Sequence, residues 1–237
     1  MTRIVDHIVL ECSPADLAPT SALLQKAGFK LEDEVVTRGE GLQSHLLSIA
    51  GGGFIEMSAQ IDPGSHKFDL FAHATPRLVV GAYTTGDGAA DLAHMQAHPG
   101  GGKSFACCGG WQRTRDDSWG YYVGIMPTDV LESRETGVFF HLQDRRLFPL
   151  PYPHAADTAP ALRKLTLTGS SAGLWRKRHV EFFDLPERDG SLWAGETELV
   201  FNQSEATDNQ MVATFAVPNP EVEVPLAGGA FEFVPQH

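Results

Sequence analysis

The chain has 237 residues, a formal net charge of -12 and one basic run of three, Arg176-Lys177-Arg178. A field of that sign repels phosphate backbones and anionic lipid, so no nucleic acid and no membrane surface is expected as a partner. An apolar fraction of 42% with 20% charged residues is that of a globular chain. No apolar run approaches the roughly 18 residues of a membrane span, and a secretion signal is absent, so a cytoplasmic protein is expected. The three cysteines, Cys12 and the vicinal Cys107 and Cys108, are an odd number without metal-finger spacing and do not indicate a disulfide framework.

In chain order, Arg3 to Glu11 is rich in β-branched residues and reads as a strand, ending at Ser13-Pro14, a helix cap with a first-turn proline. The helix that follows carries Leu17, Leu23 and Leu24 and stops at Gly28, with Pro19 expected to delay its start or split it. Three strands are predicted next, Leu31 to Arg38, Gln43 to Ala50 and Gly53 to Gln60, punctuated by Gly39, Gly41 and the Gly51-Gly52-Gly53 turn. This β-α-β-β-β order repeats after residue 76, with strand Arg77 to Thr85, helix Asp87 to His98, and strands near Lys103 to Arg113, Gly120 to Met126 and Gly137 to Gln143. Residues 149 to 160 form a proline-rich connector that marks a boundary. Beyond it, a strand at Leu162 to Thr168, a helix at Ala172 to Phe183 and strands at Glu196 to Gln203, Met211 to Val217 and Ala230 to Val234 make a third unit. The expected organisation is a two-module domain over 1 to 148, the connector, and a third βαβββ-like unit over 161 to 237.

Placed without gaps, the fourth strands of the two modules match as Gly53-Phe-Ile-Glu-Met57 and Val138-Phe-Phe-His-Leu142, which sets Glu56 opposite His141. The first strands match as Asp6-His-Ile-Val-Leu10 and Val80-Gly-Ala-Tyr-Thr84, which sets His7 opposite Gly81. Side chains on a strand alternate between faces, so Glu56 and His141 point away from their apolar neighbours Ile55, Met57, Phe140 and Leu142. A carboxylate and an imidazole at one repeat position are unusual for a structural core. Taken singly, a buried strand histidine is more often a satisfied core residue and a strand glutamate a solvated one.

Two β-α-β-β-β modules, with Asp6-His-Ile-Val-Leu10 on a first strand and Phe54-Ile-Glu-Met57 on a fourth, resemble the vicinal oxygen chelate superfamily of glyoxalases and extradiol dioxygenases. The resemblance covers residues 3 to about 145. It implies an α+β fold in which the paired modules form a cup-shaped open barrel, with a metal held by the first and fourth strands of each module. Carried over by position, His7, Glu56 and His141 are the metal ligands, and Gly81 departs from the pattern at the fourth place. Two imidazoles and one carboxylate suit a divalent ion such as Fe(II), Mn(II), Zn(II) or Ni(II) and leave coordination sites open. The implied function is a metal-dependent enzyme, a lyase or isomerase or a ring-cleaving dioxygenase, whose metal acts as a Lewis acid on vicinal oxygens of a small-molecule substrate. The alternative is a metal-free module of the same fold that sequesters a drug or other ligand.

His45, mid-strand, is a candidate hydrogen-bond partner or general acid/base beside the metal. Tyr122, with Tyr121 and Trp119, is a candidate for the pocket wall, although aromatic clusters more often pack. Arg38 is a weaker candidate for an anion clamp. Cys107 and Cys108 read as packing rather than a redox pair, and His94 and His98, though spaced i, i+4, lack the glutamate and third ligand of a zinc helix. The third unit has no partner module in the sequence, which suggests a homodimer in which it pairs with the same unit of a second chain.

Overall fold

Ser13 caps helix α1 (Pro14–Ala27) with its side chain accepting from the Asp16 N–H, and Pro14 fills the first turn, where no N–H is needed. The helix closes at Gly28, whose positive φ lets its N–H reach the Gln25 carbonyl while the Phe29 N–H reaches that of Leu24. Pro19 neither delays nor splits it. That residue is exposed, so solvent can serve the carbonyl a proline leaves without its partner.

The computed structural model describes residues 3–37, 41–62, 76–97, 105–113, 119–127, 139–144, 159–206, 209–224 and 230–236; at positions 37, 105–113, 119–127, 139 and 144 it describes the backbone. In its first half, α1 is joined by β1 (Val5–Cys12), β2 (Lys30–Thr37), β3 (Leu42–Ser48), β4 (Phe54–Gln60), β5 (Arg77–Thr85), α2 (Gly88–Ala97), β6 (Phe105–Arg113), β7 (Trp119–Pro127) and β8 (Phe139–Asp144). These strands form one mixed eight-stranded sheet in the order β2-β3-β4-β1-β5-β8-β7-β6. Within each module the first strand runs parallel to the fourth, β1 to β4 and β5 to β8, and the modules join antiparallel through β1 and β5. The outermost strands β2 and β6 approach each other without pairing, so the sheet curls into an open cup. Helix α1 covers the outer face, where Leu17 and Leu24 share a core with Leu47, Ile55 and Met57.

The second half builds a second sheet with the same plan. Its elements are β9 (Ala161–Gly169), α3 (Ala172–Glu181), β10 (Glu187–Arg188), β11 (Ser191–Ala194), β12 (Thr197–Gln203), β13 (Gln210–Val217) and β14 (Phe231–Pro235), and its strand order is β10-β11-β12-β9-β13-β14. Strand β9 is parallel to β12 and antiparallel to β13, and β13 is parallel to β14, which repeats the relations of β1, β4, β5 and β8. The third unit therefore ends at β12. The expectation that the strands after residue 210 belong to it is corrected: β13 and β14 stand where a further module would contribute its first and last strands. Strands β10 and β11 escaped sequence reading because they are two and four residues long, in a stretch broken by Pro186 and Gly190. Since the chain itself fills the place beside β9, the reason for expecting a second copy there is removed.

The halves share one cluster of buried apolar side chains, in which Leu10, Ile55 and Tyr83 of the first sheet join Leu165, Trp175 and Phe215 of the second half. The end of α1 meets the end of β13, with Phe29 against Phe215 and the Asn219 side-chain amide donating to the Lys26 carbonyl at 2.9 Å.

Candidate functional site

On β1 and β4 the parallel register pairs His7 with Phe54 and Val9 with Glu56, so these four side chains share one face of the sheet. His7 stacks on Phe54 with ring centroids 4.8 Å apart. His141, on β8, meets His7 edge-on at 5.4 Å. Strand β5 lies between β1 and β8, a separation of about 9.5 Å for a flat sheet. The shorter ring distance shows that the two imidazoles converge, on the face opposite to the one that α1 covers.

Asp6 completes His7. The pairing of β1 with β5 is irregular between Val5 and His7, and this break in alternation lets the Asp6 carboxylate accept from Nδ1 of its own neighbour at 2.7 Å. The Asp6 side chain is fully buried, and holding the His7 proton on Nδ1 turns the Nε2 lone pair outward. Sequence reading missed this role because adjacent strand residues ordinarily face opposite ways. The neighbouring Asp-His pair was the available signal.

His141 is buried, and its Nε2 donates to Gln143 Oε1 at 3.3 Å. Burial, reinforced by nearby His7, lowers its pKa to about 3 against the opposing effects of Asp6 and Gln143, so the ring is neutral at physiological pH. Glu56 lies on the same face, half-buried, and accepts from the hydroxyls of Ser44 at 3.0 Å and Ser58 at 2.9 Å. Those two hydroxyls are themselves 2.7 Å apart. Further along the face, the fully buried Glu11 accepts from Nε of Arg77 at 3.1 Å. Among the described residues no group of three or more His, Cys, Asp or Glu side chains is gathered as a metal site. His7, His141 and Glu56 are donor types that a divalent ion accepts and they share one face, the two imidazoles converged and the carboxylate held instead toward Ser44 and Ser58.

Two expectations are corrected. His45 pairs with Met57 on β4 and with Glu34 on β2, which places it on the outer face with Leu47 and away from Glu56. Its Nε2 lies 3.9 Å from Glu34 Oε1, so it is not an acid/base partner inside the cup. The place equivalent to His7 is Val80, not Gly81: His7 aligns with Phe54 as Val80 aligns with Phe139, two residues before Glu56 and His141 respectively. A slip of one residue exchanges the faces of a strand. Gly81 faces outward, where a Cβ would come within 2.6 Å of the Phe140 ring. Val80 is apolar, so the fourth place still supplies no ligand.

Position 122 lies on β7 two residues before Gly124, the partner of Gln143 on β8. The side chains of Tyr122, Tyr121, Trp119, Cys107 and Cys108 lie outside the described part of the structure, as do Arg38 and His98. Cys12 is buried, and its thiol is pushed up to about 12 by burial and by the Asp16 and Glu11 carboxylates, which leaves it unreactive.

A scan of protein-family models finds no match to the sequence, and a search of curated proteins finds none. Solved structures do match. A hypothetical protein from Staphylococcus aureus superposes with a TM-score of 0.68 over 99% of this chain and 100% of its own, at 13% identity. A mutant 4-hydroxymandelate synthase from Streptomyces coelicolor matches at 0.57 over 91% of this chain and 71% of its own, at 11% identity. A xylose isomerase-like TIM barrel/4-hydroxyphenylpyruvate dioxygenase fusion protein matches at 0.52 over 92% of this chain and 36% of its own, at 17% identity. The chain shares the fold of these structures, an α+β architecture of paired βαβββ modules in open cups.

Proposed function

We propose that the cup of the first sheet is the active site of a metal-dependent small-molecule enzyme, with His7, His141 and Glu56 as the protein ligands of one divalent ion. The observation that carries this reading is the convergence of two imidazoles from different modules, one of them oriented by a buried carboxylate. When bound, the ion supplies a Lewis acid for vicinal substrate oxygens. Asp6 keeps the His7 proton off the ring nitrogen that faces the cup. Burial keeps His141 neutral, the protonation state a ligand needs. Ser44 and Ser58 hold Glu56 on the same face by donating to its carboxylate. Phe54 forms an apolar wall against His7 that limits water at the reacting position.

The reaction is either lyase or isomerase work or ring cleavage of a catechol with dioxygen. Dialysis against Fe(II), Mn(II), Zn(II) and Ni(II), followed by elemental analysis, should find about one ion per chain in the parent. His7→Ala and His141→Ala should each weaken uptake at least tenfold, as expected for loss of a ligand. Iron with oxygen uptake on catechols selects the dioxygenase, and another metal without oxygen uptake selects the lyase or isomerase. A protein that takes up no ion, and whose ligand variants behave as the parent, removes the metal reading. The second reading, a metal-free cup that sequesters a ligand, is favoured by the engagement of Glu56 with two hydroxyls, and it predicts that outcome.

A further inference from the structure

Helix α3 belongs to the second half, yet its buried side is laid against the outer face of β5 and β8, the strands behind the cup. His179 lies at the centre of this contact and is fully buried. Its Nδ1 lies 2.6 Å from the Trp175 carbonyl oxygen, which can only accept, so Nδ1 carries the proton. Nε2 is then a lone pair, and it accepts the Tyr83 hydroxyl at 2.8 Å. The geometry therefore fixes both the tautomer and the direction of the bond between the halves. Around that bond the rings close in. Phe140 meets His179 at 4.5 Å and Trp175 at 5.0 Å, both near perpendicular, while Phe183 and Phe201 meet His179 at 4.9 and 4.8 Å.

Phe140 is the residue before His141, and Tyr83 is the residue after Ala82, the β5 partner of His141. Consecutive strand residues point to opposite faces, so a displacement of Phe140 outward is a displacement of His141 in the cup. Gly81 provides the notch that lets the Phe140 ring lie flat against β5. Arg3 ties the same region from the other side, donating to the Phe183 carbonyl and making a two-bonded pair with Asp91 of α2.

We infer that His179 is a positioning residue: through Tyr83 and Phe140 the second half sets the place of His141 and hence its distance to His7. The inference rests on the proposed role of His141 for its functional meaning, though not for its geometry. Accordingly it is tested by two readouts on the full chain. The first is the pair of imidazole nitrogen resonances of His141, assigned by comparison with a His141→Gln variant. The second is the affinity for Co(II), used as a spectroscopic probe ion.

His179→Leu keeps an apolar core but leaves the Tyr83 hydroxyl without its acceptor. It should shift the His141 resonances and weaken Co(II) binding about tenfold, whereas His179→Gln, which retains an acceptor, should restore both in large part. Leu192→Ala, on β11 in the same buried core but removing no group of the Tyr83–His179 bond, is the control for instability alone and should leave the resonances in place. If His179→Leu does not fold, Tyr83→Phe removes the same bond with little change of volume and should give the smaller shift in the same direction. Unchanged His141 resonances in the folded variant overturn the inference, as does an equal shift in Leu192→Ala. Absence of Co(II) binding in the parent instead overturns the metal reading, and the resonance test then decides the positioning role by itself.

Discussion

His179 and His141 are two buried imidazoles with pKa values lowered to about 3, in both cases by burial first. In the unfolded chain the same groups titrate near 6.5. Between those values the unfolded chain holds protons that the folded one does not, so stability falls as pH drops through 6.5 and levels off below about 3. At pH 5 each group should contribute a loss of about 2 kcal/mol relative to neutral pH. Urea unfolding of the parent and of His179→Gln across this range checks the sign: the variant should show the shallower pH dependence, and equal slopes would assign the effect elsewhere. Gly81 makes a different test at this scale. Gly81→Ala must push a side chain into the Phe140 ring, and overpacking of that kind costs about 1–3 kcal/mol. Denaturant midpoints measure it, and a neutral effect would mean that the outer face behind His141 yields more easily than its packing indicates.

At the scale of elements, α1 is the most local structure in the chain, fixed by Ser13 and Pro14 at one end and Gly28 at the other. Ser13→Ala should cost about 1 kcal/mol, read as a lower thermal midpoint with the fold retained. These caps, the alternation on β4 and the exact bounds of β5 were legible in the sequence because each is a matter of neighbouring residues. So was the placing of Glu56 and His141 on one face, since β4 and β8 keep uninterrupted registers with β1 and β5. The facing of His45 was not, because a strand buried on both sides gives no alternation from which to choose a face. Val80 was hidden for another reason. The correspondence is set by the strand each residue lies beside, His7 with Phe54 and Val80 with Phe139, which a strand-by-strand reading does not record. Asp6 was hidden by the irregularity between Val5 and His7, which turns its side chain toward His7.

At the scale of the whole molecule, two sheets of the same plan are joined through one core, with α3 against β5 and β8 and the end of α1 against β13. A shared core of this kind should unfold as a unit, although the sequence has a proline-rich connector at 149 to 160, most of which lies outside the described residues. Calorimetry should therefore give a single transition with matching calorimetric and van't Hoff enthalpies. Two resolved transitions would show that the halves hold together less firmly than their contacts suggest.

The apolar Val80 at the place symmetric with His7 also bears on engineering. In the proposed site it is the position related to His7 that offers no donor atom, and it would leave room for exchangeable molecules around an ion. Val80→His would supply a fourth protein ligand, a third imidazole beside those of His7 and His141. The expected result is an ion retained longer during chelator challenge, together with slower turnover of whatever substrate the parent processes. Faster release of the ion would mean that the two modules do not share a common centre after all.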